Sequence, residues 1–419
     1  MEERRPHLRM GGGALSVGGV SAGELAEKYG TPIYVTDLDR VEERYSSAAR
    51  ALASRHGRCL IAFAYKSNST PEVVESLARL GAGATVVSVA GVELSGAVGV
   101  SHENVVFDGP SKSKAELAAA IKGKVGMINA ESTQEVLDID ALCGTLGVSG
   151  CRVGFRVNFG IAAPTHPGLA TGSSTHKFGV PREEVVRFCT EAAPRLKHAM
   201  VVGLHSHVGS QVADTEVFRQ EAEELVRLAD ELRKVGTGIG EFNFGGGLGV
   251  DYTGSGGALG FEGYADATAG TFSRLGGDRD ARLVFELGRS IVADSTVMLT
   301  KVNYVKMAGT TPWALVDAGM NDFIRPALYG AYHDIVPARV ADSTESGASY
   351  DIGGPVCETT DVFGSGRKLG VKLAQGDLLA VLDAGAYGTS MASTYNMRPL
   401  PATVLVTKGR HRLARQFRL

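Results

Sequence analysis

Between residues 59 and 287, short apolar runs alternate with amphipathic stretches eight times over. The runs are 59–66, 84–89, 104–108, 126–130, 151–158, 201–209, 241–246 and 282–287. Each is short, rich in β-branched residues and apolar on both faces, as a strand buried from two sides must be. The intervening stretches carry helix signals. Thr70-Pro71-Glu72 offers an N-cap, a proline at the first helical position and an acid in the first turn. Val73, Val74 and Leu77 follow at helical spacing, and Gly81 stops the run. Ser113 with Glu116, and Ser132 with Glu135, are spaced as capping boxes. Phe218, Leu225, Leu228 and Leu232 form one stripe of a long helix ending near Gly236. Strand and helix alternating in this way over about 230 residues predict a (β/α)8 barrel of the TIM type. A doubly wound open sheet would need G-x-G-x-x-G after its first strand. The glycine-rich turn here, Gly245-Gly246-Gly247-Leu248-Gly249, follows the seventh run instead, and Val250 stands where the last glycine should be.

Beyond residue 296 the texture changes. Runs at 297–305, 313–317, 378–382 and 403–407 are separated by turn residues, and long helical periodicity stops. This reads as an all-β domain of about 120 residues, a sandwich or small barrel. Thr31-Pro32-Ile33-Tyr34-Val35 is expected to add a strand to it. The expected division is therefore a barrel over 37–295, with 1–36 and 296–419 forming one β domain. The fold class is α/β plus all-β. Residues 342–350 read as an exposed loop.

Composition narrows the function. Lysine and arginine total 43 against 46 acids, a net charge of −3, so no basic surface argues for nucleic acid. No apolar run reaches the ~18 residues of a membrane helix, and the opening MEERRPHLRMGGG has no apolar signal-peptide stretch. The 5 cysteines are scattered with no C-x-x-C pair, which suits a reducing cytoplasm and gives no zinc motif.

Four features with chemical potential lie at the C-terminal ends of predicted strands, where barrel enzymes place their chemistry. Lys66 ends the first; a lysine there, if burial lowers its pKa, can form an imine with an aldehyde. His205-Ser206-His207-Val208-Gly209-Ser210 ends the sixth, offering a ring to stack and a turn to hold phosphate. A metal on this histidine pair is not expected, because no carboxylate–histidine set lies nearby in sequence. Gly245, Gly246 and Gly247 follow the seventh, where bare amides can form an anion nest. Glu286-Leu287-Gly288-Arg289 ends the eighth; the acid can pair with a pyridinium nitrogen and the arginine can clamp an anion. Each has a bland reading alone: a snorkelling lysine, satisfied histidines, a plain turn, an ion pair. Together they supply an amine, a ring, a phosphate site and an acid, an inventory that suits pyridoxal phosphate.

The β region adds DAGMNDFIRPALYGAYH (317–333), GPVCETTDVFG (354–364) and GAYGTSMASTYNMRP (385–399). With HSHVGSQ, NFGGGLGVDY and ELGRS, these stretches resemble the alanine-racemase-fold (fold type III) pyridoxal-phosphate decarboxylases, and within them the diaminopimelate decarboxylases, over roughly 30 to 405. The resemblance implies that Lys66 bonds the cofactor and His207 stacks on its ring. Ser210, Gly245, Gly246, Gly247, Gly288, Arg289 and Tyr387 would hold the phosphate or a nearby substrate carboxylate, and Glu286 would face the ring nitrogen. Cys357 would return a proton once CO2 leaves, while Arg325, Tyr329 and Glu358 would bind the far end of the substrate. A homodimer with shared sites is implied as well. Diaminopimelate carries an amino-acid head group at both ends, so its distal end needs one cation and one anion; Arg325 and Glu358 are one of each. The expected reaction is decarboxylation of meso-diaminopimelate to lysine. Rivals are a decarboxylase of ornithine, arginine or carboxynorspermidine, an alanine racemase, a non-catalytic cofactor-binding barrel, or a cofactor-free binding module. Three positions depart from the usual pattern: Leu287 stands for proline, Ser67 for alanine and Thr85 for aspartate.

Overall fold

The computed structural model describes residues 4–161, 177–339 and 349–415. Eight parallel strands close a barrel: β1 Cys59–Ala64, β2 Gly83–Val86, β3 Val105–Phe107, β4 Met127–Ala130, β5 Cys151–Asn158, β6 Ala199–His205, β7 Glu241–Asn243 and β8 Arg282–Phe285. Closure is made by β8 on β1, with Leu283 opposite Cys59 and Phe285 opposite Ile61. Leu60, Ala62, Val106, Met127 and Val284 fill the barrel interior. Small residues make room for them: a Cβ on Gly203 would meet the Met127 methyl at 2.9 Å.

Every one of the eight expected strands is present, and most end earlier than the apolar run. β1 stops at Ala64, β6 at His205, β7 at Asn243 and β8 at Phe285. Lys66, His207, the three glycines and Glu286 therefore sit in the turns just beyond the strand ends. The run 84–89 is cut shorter still, because Ser88 caps the next helix, accepting from the Gly91 amide.

The helix starts differ in detail from expectation. Ser113 and Glu116 form the full capping box. Ser132 accepts from the Glu135 amide, but the Glu135 carboxylate turns to the Glu131 amide and to Lys112 Nζ at 2.7 Å, so that box is only half made. Thr70 does not cap; the Asn68 side chain accepts the Thr70 amide instead. The long helix Thr215–Lys234 buries Phe218, Leu225, Leu228 and Leu232 as its stripe predicts. It also buries Glu221 completely.

A second, mostly antiparallel 12-stranded sheet takes strands from both ends of the chain. Its spine is Thr296–Ala308, which pairs with Leu378–Val381, Thr311–Val316 and Ile33–Asp37. Strand alternation splits its core in two. Val297, Leu299, Ile33 and Val35 enter one apolar cluster, while Met298, Val302 and Tyr34 enter the other. The N-terminal segment contributes more than the single expected strand: Leu8–Gly11, Ala14–Val17 and Val20–Ser21 join as well. Of the expected 342–350 loop, all but its end lies outside the described residues; its last two residues open the strand Ser349–Gly353. Among the described residues no helix is long and apolar enough to cross a membrane.

Candidate active site

A cavity lies between the C-terminal rim of the barrel and the second sheet. Its walls include Lys66, His207, Ser210, Gly247, Glu286, Gly288, Arg289, Arg325, Tyr329 and Tyr387. The two layers are fastened at this point. The Tyr387 amide donates to Ser67 O at 2.8 Å, and Asn68 Nδ2 donates to Gly385 O at 3.0 Å. Tyr387 adopts a left-handed φ of +58°, held there by that backbone bond. Lys66 is exposed to the cavity rather than buried, contrary to expectation.

The glycines work differently from a simple nest. The Gly245 amide donates to Asn243 Oδ1 at 2.9 Å, and the Gly246 amide to His207 Nδ1 at 3.1 Å. Those two amides are thus spent inside the protein, and only Gly247 lines the cavity. What demands glycine is close approach: a Cβ on 245, 246 or 247 would sit 2.6, 2.3 or 2.1 Å from the carbonyl oxygens of Ser206, Glu286 and Gly209. Because Nδ1 accepts, the His207 proton belongs on Nε2. Burial holds the His207 ring well below the usual histidine pKa, so it is a neutral ring.

Two arginines face the cavity. Arg289 donates to Ser210 Oγ at 2.9 Å and to Tyr252 OH at 3.0 Å, and its guanidinium lies 4.8 Å from the Tyr387 ring centre. Arg325 donates to the same Tyr252 OH at 2.9 Å and contacts His333 Nε2 at 3.2 Å. Arg289 Nε, Arg325 Nε and Ser290 Oγ are buried without a hydrogen-bond partner among the described residues. Such unpaired donors at a cavity wall are what a bound anionic ligand would satisfy. With Lys66 for an aldehyde carbon and an acid opposite, the residues fit pyridoxal phosphate.

Glu286 closes the floor. Asn243 Nδ2 donates to its Oε1 at 2.7 Å, and its carboxyl also hydrogen-bonds that of Asp108. Ligand atoms of Asp108, His205 and Glu286 all lie within 4.8 Å of one another. A carboxylate–histidine set does therefore exist beside the histidine pair, contrary to expectation; its acids come from the ends of β3 and β8, distant in sequence. Burial pushes His205 down to about 3.

Cys357 and Glu358 are not brought to this cavity. Both are exposed, and Glu358 accepts from Tyr395 OH. Sequence reasoning missed Asp108, Tyr252, Asn243 and His333. Asp108 carried the same signal as Glu286, an acid ending an apolar run. Tyr252 and His333 stand inside NFGGGLGVDY and ALYGAYH but interact with arginines that only the fold reveals.

A family model described as "Pyridoxal-dependent decarboxylase, pyridoxal binding domain" matches residues 38–293. The diaminopimelate decarboxylase of Aquifex aeolicus is 37% identical over 99% of this chain and 96% of its own. That of Pseudomonas aeruginosa is 42% identical over 93% and 90%. The crystal structure of diaminopimelate decarboxylase from M. jannaschii in co-complex with L-lysine superposes with a TM-score of 0.91 at 35% identity, covering 98% of this chain and 94% of that one. The barrel and the β sheet beside it thus recur in relatives that cover more than nine-tenths of this chain: the chain belongs to the pyridoxal-dependent decarboxylases, and among them to the diaminopimelate decarboxylase family.

Proposed function

We propose that this protein decarboxylates meso-2,6-diaminopimelate to lysine and CO2 with pyridoxal phosphate. The observation that carries the reading is one cavity holding a lysine amine, a floor acid and two arginines with unpaired nitrogens. When bound, the cofactor supplies an electron sink for the pair left on carbon as CO2 departs. Lys66 Nζ offers the amine that bonds its aldehyde carbon. Glu286 would face the ring nitrogen, and the neutral His207 ring would pack against the cofactor ring. Ser210, Gly247, Gly288, Arg289 and Tyr387 would hold the phosphate; Gly245 and Gly246 support them by letting the loop press on the strand ends. Arg325 and Tyr329 receive the distal carboxylate.

Cys357 and Glu358 then come from a second copy. They are exposed, and the surface around them and around Tyr329 carries Leu328, Tyr332, Tyr395 and Met397, the last 97% exposed. Exposed apolar side chains grouped about an incomplete site suit an isologous dimer. In that dimer Cys357 returns the proton to carbon and Glu358 meets the distal ammonium. The domain division at 37 and 296 fits this arrangement, since the β domain then serves two barrels. Five free cysteines suit a reducing compartment, the cytoplasm.

The test is lysine formation from meso-diaminopimelate with added cofactor. Lys66→Ala should abolish both turnover and the visible absorbance of the bound cofactor. A Lys66→Ala protein that still makes lysine would sink the reading, as would a wild-type protein that prefers ornithine or arginine.

A further inference from the structure

The floor of the cavity holds two carboxyl groups where one would serve a ring nitrogen. Asp108 follows β3 directly and is buried. Its amide donates to Val86 O at 2.9 Å, and Asn129 Nδ2 donates to its Oδ1 at 2.8 Å. The turn behind it is pinned by Lys112, whose Nζ reaches Gly109 O at 2.6 Å and Asn129 O at 2.8 Å. Asp108 is thus tied to the strands on either side of its own and cannot swing away from Glu286. Glu286 is fixed in turn by Asn243. The neighbouring strand β2 supplies no charge here, since Thr85 donates its hydroxyl to Ala62 O at 3.2 Å.

We propose that Asp108 is a positioning residue for the reaction: its carboxylate keeps a proton on Glu286 and holds that acid ready for the ring nitrogen that enters the cavity. The inference rests on the site holding a pyridine ring, as proposed above. Two buried carboxyls in contact cannot both be charged, so the pair retains one proton. Its location follows from the surroundings. Burial opposes ionisation of Asp108, while the hydrogen-bonded Glu286, the Lys66 charge and the Asn129 amide favour its charged form. Burial and then the Asp108 charge push Glu286 well above the usual carboxylate range, with Lys66 and Asn243 opposing less strongly. The His205 ring, 3.8 Å from Glu286 Oε1, faces the pair from β6 and is neutral. Arg156 and Lys112 lie farther out and act on that histidine. Side-chain amide N–H groups from Asn129 and Asn243 point at the two carboxyls, an arrangement that suits a shared proton. The transfer is balanced: the O–H bond of Glu286 breaks, an N–H bond forms on the ring, and the new carboxylate pairs with the cationic nitrogen.

The full-length protein tests this spectroscopically. With 15N-labelled cofactor bound, Asp108→Asn should lower the pH at which the ring-nitrogen NMR signal titrates by about one unit or more, because removing a nearby anion weakens that nitrogen's hold on its proton. Asp108→Glu should restore it. Infrared spectra of the cofactor-free chain at neutral pH should contain a protonated-carboxyl band that Glu286→Gln removes and Asp108→Asn weakens. An infrared band that Asp108→Asn leaves untouched, or an unmoved ring-nitrogen titration, overturns the proposal. Should Asp108→Asn fail to fold, Asn129→Leu takes its place: without the amide donor Asp108 becomes more basic, and the Glu286 band must weaken. Lysine formation is read separately, so the proton-sharing pair can fail while the decarboxylase reading stands.

Discussion

Arg289 and Arg325 donate to one and the same oxygen, the phenol of Tyr252, at 3.0 and 2.9 Å. One arginine follows the last barrel strand and the other opens the short helix Arg325–Tyr329 beside the second sheet. Tyr252 therefore joins the two cationic ends of the cavity, and its ring centre also lies 5.0 Å from the Arg325 guanidinium. Tyr252→Phe keeps the ring and deletes the shared acceptor. Hydrogen bonds to charged groups are worth about 1.5–3 kcal/mol, so kcat/KM should fall about tenfold or more. The loss should appear mainly in KM, since both arginines bind rather than transfer protons. Steady-state kinetics check this, and an unchanged KM would refute the bridging role.

Glycine at 246 is required by the Glu286 carbonyl 2.3 Å from its missing Cβ. Gly246→Ala should cost about 1–3 kcal/mol of stability by overpacking and displace the floor acid, lowering cofactor occupancy. Gly238→Ala, where a Cβ meets nothing within 4 Å, is the control and should stay within about 0.5 kcal/mol. Thermal melts and the visible absorbance of the purified proteins decide between them.

If Cys357 serves the partner's cavity, two dead variants can rescue each other. Lys66→Ala and Cys357→Ala should each be inactive alone. Co-expressed in equal amounts, they should regain up to about a quarter of wild-type activity, because half the dimers are mixed and each mixed dimer has one intact site. No recovery in demonstrably mixed dimers would show that Cys357 does not serve the partner's cavity.

Glu221 carries a pH signature of its own. Burial pushes its carboxyl from an ordinary 4.5 up to about 8, opposed only by Ser206. The folded state holds this proton more tightly than the unfolded one. The resulting penalty is absent below about pH 4.5 and grows as pH rises toward 8. A tenfold difference in proton affinity between the two states is worth about 1.4 kcal/mol. Glu221→Gln should therefore stabilise the protein by a few kcal/mol at pH 8 and hardly at all at pH 4.5. Melting curves at the two pH values test it; equal gains at both would show that the charge is not responsible.

The barrel was legible because its strands are buried on both faces and its helices are punctuated by proline, glycine and capping residues. Strand ends were overrun because apolar residues continue into the turns: Leu287 and Val208 are buried like the strand residues before them. Lys66, Glu286 and Arg289 stood out because several strand ends carried chemically useful residues together, and the fold brings all three to one cavity. Asp108 could not be ranked, since its importance lies in contact with Glu286 across the barrel. Cys357 and Glu358 were read from a motif, and a single chain keeps them apart from the cavity that motif describes. The extra N-terminal strands were hidden in short turn-rich sequence whose partners lie at the other end of the chain.

The strand Ile33–Asp37 lies between Thr296–Ala308 and Ala402–Thr407, antiparallel to the first and parallel to the second. It precedes the barrel in the sequence, yet both its neighbours follow the barrel. Without them its edges are unpaired and its apolar faces uncovered. Loss of Ala402–Thr407 would therefore leave an open edge on a strand that precedes the barrel, so a deletion after the barrel would be felt as aggregation through a segment before it.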